Sequence, residues 1–391
     1  MLGLHESKGG YAPGNFIGLV WIGGGESRAV LRVDSKFSEM NYIRMFAECA
    51  AHPVIGARLG KCLRFWADEE LIPIPKSPDF LELAAAAYLR ELNELCRRHL
   101  RRHFLRAREN FTGKVKGKIL INENLRRNIT RCRPDRVFCE YQSVSDDILE
   151  NRILRAALER AARFVSSSCI GEKNNAIMRQ WIRASRAALQ GVSVAPVKRA
   201  DFAAARKRGA FAFYRAPLEL AKIVLLQLGF NPHEEIPQHA KTPPFALDSA
   251  ELFERYAELQ LLKTYPGLKA LYNDRQNIGS GADDFVRRVR PDFYIPSAEG
   301  ETPQIIDAKY KDNLINKQQP EQEDVFQIIA YSRHRGVLRK INCAENGAVE
   351  LSLVYPFFGG GGDVEEYKTS DAYSRRLHFY KIKCPAKDAA G

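Results

Sequence analysis

The chain has 391 residues, 45% of them hydrophobic and 27% charged, with a formal net charge of +13. Length and composition suit an ordinary globular protein of two or three domains. No run approaches a membrane span, and the first residues lack the basic and apolar regions of a signal peptide. Eight cysteines, at 49, 62, 96, 132, 139, 169, 343 and 384, form no C-x-x-C pair and have no matching histidine set. That argues against structural zinc and for a reducing, cytoplasmic interior. The excess of Lys and Arg favours a polyanionic partner such as DNA, because cations that neutralise phosphates supply most sequence-independent affinity.

In chain order, residues 16–22 and 29–33 alternate apolar and β-branched side chains around Gly23-Gly24-Gly25-Glu26-Ser27, which predicts a β-hairpin with a glycine-rich tip. The segment Gly56-Ala57-Arg58-Leu59-Gly60-Lys61-Cys62 has the look of a phosphate loop, but it is one residue short and places Cys62 where a hydroxyl must meet Mg²⁺. No nucleotide site is therefore expected in this chain. Pro73, Pro75 and Pro78 mark a boundary, after which residues 80–228 read as mainly helical, interrupted by a strand-like 114–121. Within that stretch residues 97–108 carry six arginines on an expected helix, with Arg98, Arg101, Arg102 and Arg108 on one broad face and Leu100, Phe104 and Leu105 toward the core. So many cations with so few acids repel one another, which points to phosphate or partner contact over a merely solvated face. The run from Asp147 to Leu158 follows Ser145, a natural N-cap, and its apolar stripe Ile148, Leu149, Ile153, Leu154, Leu158, Ala161 builds a core. Residues 231–244 read as a linker.

The most telling chemistry is near the end. Arg290-Pro291-Asp292 lies in an apolar run, 289–295, and Asp307-Ala308-Lys309 in another, 304–310, with a turn expected at 297–301. Side chains two apart on a strand share a face, so Asp307 and Lys309 point the same way. A hairpin brings Asp292 alongside, giving two hard oxygen ligands suited to Mg²⁺, or Mn²⁺ in its place, and an amine able to orient or deprotonate a water. The plainer alternative is a pair of strand-end carboxylates matched to neighbouring arginines. An upstream copy, Arg133-Pro134-Asp135, has no acidic-x-Lys triplet at suitable spacing within an apolar strand. Residues 249–262 have helical apolar spacing and carry Glu254; residues 321–331 form a second expected helix, on which Gln327 and Tyr331 sit one turn apart. Strands are expected at 348–355 and 377–382. Glu254 alone suits a solvated helix carboxylate, and Tyr331 alone suits a core aromatic with its hydroxyl at the rim.

This order of elements, with Glu254, Asp292, Asp307-x-Lys309 and Gln327-x-x-x-Tyr331, resembles the PD-(D/E)xK nuclease superfamily in its Gln-x-x-x-Tyr variety. The resemblance implies Asp292 and Asp307 as metal ligands, Glu254 as an accessory acid and ligand, and Lys309 as the water-activating lysine. It further implies that Gln327 steadies the site and Tyr331 the DNA backbone. Residues 111–119, Cys139-Glu140-Tyr141 and 147–158, joined to these motifs, are similar to the McrC family. That family implies a DNA endonuclease subunit of a modification-dependent restriction system, working with a hexameric AAA+ GTPase of the McrB type that it also stimulates. The hairpin near Trp21 is then a docking candidate. Arg98, Arg101 and Arg102 are expected DNA contacts.

The expected fold class is α+β multidomain: an N-terminal β-rich region over 1–75, a mainly helical middle over 76–240, and a C-terminal α/β restriction-endonuclease-like PD-(D/E)xK domain over 241–391. Two other readings are a non-catalytic adaptor of the AAA+ partner and a stand-alone nuclease of the RecB or Cas4 kind. An intact Asp292, Asp307 and Lys309 set counts against the first, and the long amino-terminal region against the second.

Overall fold

The computed structural model describes residues 5–7, 10–12, 14–24, 28–66, 70–74, 78–98, 100–167, 172–228, 240–270, 291–297, 302–312, 320–359, 361–372 and 375–386. Arg290, the turn residues 298–301, the hairpin tip 25–27, Pro75 and linker residues 231–239 lie outside them. The chain is mixed α/β and forms two compact units. One comprises residues 1–72, 171–177 and 243–391, the other 73–170 and 178–242. Residues 1–72 thus share a unit with the C-terminal segment, where the sequence suggests a separate N-terminal domain.

The cause is a strand exchange across the sequence. The expected hairpin forms from Phe16–Ile22 and Ala29–Val33. Its other edge does not pair with a sequence neighbour. It takes Phe245–Asp248, which in turn pairs with Leu63–Phe65, all antiparallel. Ala246 is buried beside Val33 under Phe16, Val20, Leu31 and Trp66. Gly18 stands opposite Ala246 and has no room for a side chain, because a Cβ there would overlap the Phe245 carbonyl oxygen. The strand Phe245–Asp248 runs straight into the helix Ser249–Thr264, which the Asp248 carboxylate caps by accepting from the Glu251 amide at 3.0 Å. The helix Tyr42–Ala51 packs on it, capped by Asn41.

The second sheet of this unit has six strands in the order Lys269–Ala270, Phe293–Ile295, Gln304–Ala308, Glu350–Phe357, Arg375–Lys383, Val364–Ala372. Gln304–Ala308, Glu350–Phe357 and Arg375–Lys383 are parallel. Leu351 to Pro356 are all buried, the continuous apolar run that a strand covered on both faces requires. The helices Gln322–Arg333 and Arg335–Lys340 fill the crossover, and Ile328, Tyr331, Val337 and Leu338 pack onto Ile305, Leu351, Leu353 and Phe379. The strand Val364–Ala372, rich in charged residues, escapes sequence patterning because it is an exposed edge. The segment 56–62 forms short helical turns that end in a buried Cys62.

In the other unit the helices Pro78–Arg98, Leu149–Ser167 and Arg215–Leu228 pack together. The stripe Ile153, Leu154, Leu158, Ala161 is fully buried. Ser145 Oγ accepts from the Asp147 amide, in a turn that precedes the helix. Glu150 is buried against Arg206, which grips both its oxygens at 2.9 and 3.0 Å. Asn151, also buried, accepts from the Tyr214 hydroxyl and donates to the Asp146 and Arg101 carbonyls.

The arginine-rich segment departs from its expected form. The helix stops at Arg98, and His103–Thr112 is a ten-residue strand paired along its whole length with Arg136–Ser145. Phe104 and Leu105 face solvent, at 65% and 47% exposure, instead of a core. Apolar residues four apart suit either period, and pairing with Arg136–Ser145 supplies the backbone partners that decide for the strand. The strand-like segment 114–121 contracts to Lys118–Ile119, followed by a short helix Ile121–Arg127 with no buried residue.

Candidate active site

The first sheet pair sets the two aspartates opposite each other. Phe293 pairs with Ile306 in antiparallel register, so Asp292, one residue earlier, comes level with Asp307. Asp292 Oδ2 accepts from the Ala308 amide at 2.8 Å. Lys309 continues the parallel ladder by donating its amide to the Val354 carbonyl, which keeps its side chain on the Asp307 face. Its ammonium lies 2.6 Å from Asp307 Oδ2 and donates to Gln327 Oε1 at 2.5 Å. Gln327 Nε2 in turn donates to the Tyr331 hydroxyl at 2.6 Å. Asp292, Asp307, Lys309, Gln327 and Tyr331 are therefore one connected cluster at the carboxyl end of the strand Gln304–Ala308.

Glu254 joins it electrostatically from the helix Ser249–Thr264. Burial, with the charge of Glu251 next and that of Asp307 adding to it, pushes its carboxyl up to about 7 against the opposing Arg255. Burial also raises Asp292 well above the usual carboxylate range, helped by the charges of Asp307 and Glu254. Asp307 is raised by burial too, with the Lys309 charge opposing. Three carboxylates crowded out of water cannot all be charged without a compensating cation.

The donor set fits a hard divalent ion. Asp307 Oδ2 is buried and, although close to Lys309, receives no directed hydrogen bond from the described residues, which leaves a lone pair for another partner. Among the described residues no three His, Cys, Asp or Glu side chains stand close enough to enclose an ion by themselves. Mg²⁺ suits such an open arrangement, since it keeps several waters and takes one or two carboxylates together with phosphate oxygens.

Tyr331 is 6% exposed and packs in the core, with its hydroxyl accepting from Gln327 at the rim of the cluster. The expected arginine contacts lie elsewhere. Arg98, Arg101 and Arg102 belong to the other unit. Arg98 pairs with Glu94 and Arg102 with Asp146, each at 2.8 Å, while Arg101 Nε donates to the Ala210 carbonyl. They do not form the shared helical face expected of them, and Arg108 pairs with Glu140. Trp21 donates to the Glu70 carbonyl under the Arg28 guanidinium.

Sequence reasoning missed Asp324, Lys311 and Tyr355. Asp324 is 3% exposed, accepts from Lys311 Nζ at 2.8 Å and from the Tyr355 hydroxyl at 3.2 Å, and lies 4.0 Å from Lys309 Nζ. The signal available was helical spacing, since Asp324 precedes Gln327 by three residues, which puts both on one face of the helix.

These features define a mixed α/β protein with a half-buried carboxylate and lysine cluster at the end of a mixed sheet. Residues 14–356 match the family model described as McrBC 5-methylcytosine restriction system component, and the chain belongs to that family. No curated protein matches the sequence. Among solved structures, the chain aligns with the refined half-complex from a tetradecameric assembly of Thermococcus gammatolerans McrB AAA+ hexamers with bound McrC. That alignment has 15% identity and a TM-score of 0.42 over 97% of this chain and 80% of that one. It also aligns with the cryo-EM structure of the Thermococcus gammatolerans McrBC complex, at 17% identity and a TM-score of 0.35 over 65% and 67% of the two chains. Both overlaps are too loose to carry an argument.

Proposed function

We propose that this restriction system component is its DNA-cutting subunit, a Mg²⁺-dependent endonuclease of the PD-(D/E)xK type that acts with an AAA+ partner. The observation that carries this reading is the Lys309 ammonium held between Asp307 and Gln327, with Asp292 level with Asp307 and Glu254 behind. Membership of a restriction family supplies DNA as the substrate class, and the net charge of +13 suits it.

Asp292 and Asp307 would hold the metal, with Glu254 as an accessory acid. When bound, the ion supplies Lewis-acid polarisation of a phosphate oxygen and lowers the pKa of a bound water. The protein's own groups do the rest. Lys309, anchored at two points, orients an attacking water and stabilises negative charge developing on the phosphate. Gln327 fixes where that ammonium sits, and Tyr331 fixes Gln327. The AAA+ partner rests on membership of the McrBC family and on the McrC-like segments 111–119, 139–141 and 147–158.

The test incubates the purified chain with methylated or unmethylated DNA, Mg²⁺ and nucleotide, with and without its AAA+ partner, beside Lys309→Ala. Cleavage by wild type and none by the variant is expected. Equal cleavage by both would sink the assigned site, and full activity without any partner would favour a stand-alone nuclease.

A further inference from the structure

Two lysines and two helix side chains form matching rungs, and the second rung, Lys311 with Asp324, lies outside the motif. Lys309 and Lys311 lie just past the strand Gln304–Ala308, in a tight turn where the Lys311 amide donates to the Lys309 carbonyl at 2.9 Å, and both ammonium groups reach the helix Gln322–Arg333. Asp324 and Gln327, three apart on the helix Gln322–Arg333, share a helix face. Lys309 donates to Gln327 at 2.5 Å, and Lys311 to Asp324 at 2.8 Å. The second rung is the better anchored. Asp324 is 3% exposed, and its other oxygen accepts from the hydroxyl of the fully buried Tyr355 on the adjoining strand Glu350–Phe357. Glu321, just before the helix, accepts from Lys311 at 2.5 Å.

Gln327 is exposed, and a glutamine on a helix surface ordinarily samples several rotamers. A rotation about the helix axis, or a slide by a fraction of a turn, would carry its carboxamide away from Lys309. The buried pair opposes both movements, because Asp324 can meet Lys311 and Tyr355 together only at one register of helix against sheet. A partly buried ion pair of this kind is weak evidence for stability, since well-packed apolar side chains of similar volume often do as well. Its better-attested use is to fix register.

We propose that Asp324 and Lys311 are positioning residues that hold the Gln327 carboxamide on the Lys309 ammonium. The proposal rests on the nuclease reading for its kinetic test, and on structure alone for a second test. Neither residue touches the reacting atoms. Each acts through the placement of Gln327, and Asp324 additionally keeps a negative potential 4.0 Å from the Lys309 ammonium.

The experiment compares Asp324→Asn, Lys311→Met and Lys311→Arg with Gln327→Ala and Lys309→Ala in the full chain with its AAA+ partner, under single-turnover conditions. Asp324→Asn and Lys311→Met should each slow cleavage about 10- to 100-fold, the usual cost of losing an outer support. Lys311→Arg should retain most of the rate. The Asp324→Asn, Gln327→Ala double variant should be no slower than Gln327→Ala, because both changes break the same contact. Losses that multiply in the double variant would overturn the proposal, as would wild-type rates in Asp324→Asn and Lys311→Met while Lys309→Ala is inactive. If Lys309→Ala cleaves like wild type, the nuclease reading fails, yet a crystal structure of Asp324→Asn still decides this one. Gln327 Oε1 displaced from Lys309 Nζ supports the positioning role, and an unchanged contact refutes it.

Discussion

The Lys309 ammonium lies 2.6 Å from Asp307 Oδ2, yet that buried oxygen receives no directed hydrogen bond from the described residues. The lysine supplies charge without saturating the carboxylate, so the site keeps an acceptor in reserve. Mg²⁺ should therefore raise the melting temperature of the wild-type chain, by mass action worth about 2.7 kcal/mol at a hundredfold excess over Kd. Asp307→Asn should abolish that gain in a thermal-shift titration. An equal shift in both proteins would mean that the ion binds elsewhere.

Removing charge from the cluster should stabilise the fold while it destroys activity. Asp292 is raised well above the ordinary range by burial and by Asp307 and Glu254, which means that the folded state disfavours its ionised form. An asparagine of the same shape can still accept from the Ala308 amide. Asp292→Asn should gain on the order of 1 kcal/mol in metal-free urea denaturation at neutral pH, since one pKa unit corresponds to about 1.4 kcal/mol. A loss of stability on that substitution would contradict the crowding described for these carboxylates.

Gly18 tests the strand exchange. Any Cβ there meets the Phe245 carbonyl oxygen in the neighbouring strand. Gly18→Ala should cost about 1–3 kcal/mol, the range for forced overpacking. Gly60→Ala is the control, since nothing stands near its Cβ. Equal denaturation midpoints for the two variants would count against the pairing of Phe16–Ile22 with Phe245–Asp248.

The other unit carries a pH-dependent brace. Arg152 grips both Asp147 oxygens at 2.8 and 2.9 Å; burial opposes, and the Ser193 amide and hydroxyl assist, so the carboxyl falls to about 2. A carboxyl depressed in the folded state stabilises above its ordinary value of 3.8 and loses that contribution as pH falls through 2. The stability difference between wild type and Asp147→Asn should be the same at pH 7 and pH 5, and smaller at pH 3. A difference that holds unchanged to pH 3 would show that Asp147 acts by shape instead of charge.

What the sequence reveals follows the range of the interactions. The hairpin of Phe16–Ile22 and Ala29–Val33, the apolar strand Glu350–Phe357 and the helix Gln322–Arg333 are written in local periodicity, and each forms close to where it is expected. Asp292, Asp307 and Lys309 come together through a hairpin and an i, i+2 relation, both short-range rules. Gln327 and Tyr331 need only one helical turn. The strand Phe245–Asp248 was illegible because it is four residues long and finds its partners far back in the sequence. His103–Thr112 misled because Leu105 and its neighbours fit a helix as well as a strand, and only the distant Arg136–Ser145 decides between them. The rung between Asp324 and Lys311 was hidden by its ordinary appearance as a helix acid and a surface lysine.

The insertion of Phe245–Asp248 between Phe16–Ile22 and Leu63–Phe65 also governs when the molecule can become whole during synthesis. Residues 63–65 leave the ribosome about 180 residues before their central partner, so the amino-terminal strands must wait while the entire second unit is made. At ordinary translation speeds of about 5–20 residues per second that interval lasts on the order of ten seconds or more. Glu254 follows directly on the late-arriving strand. Asp292, Asp307 and Lys309 come later still, so a nascent chain halted in the second unit carries none of the residues of the proposed nuclease site.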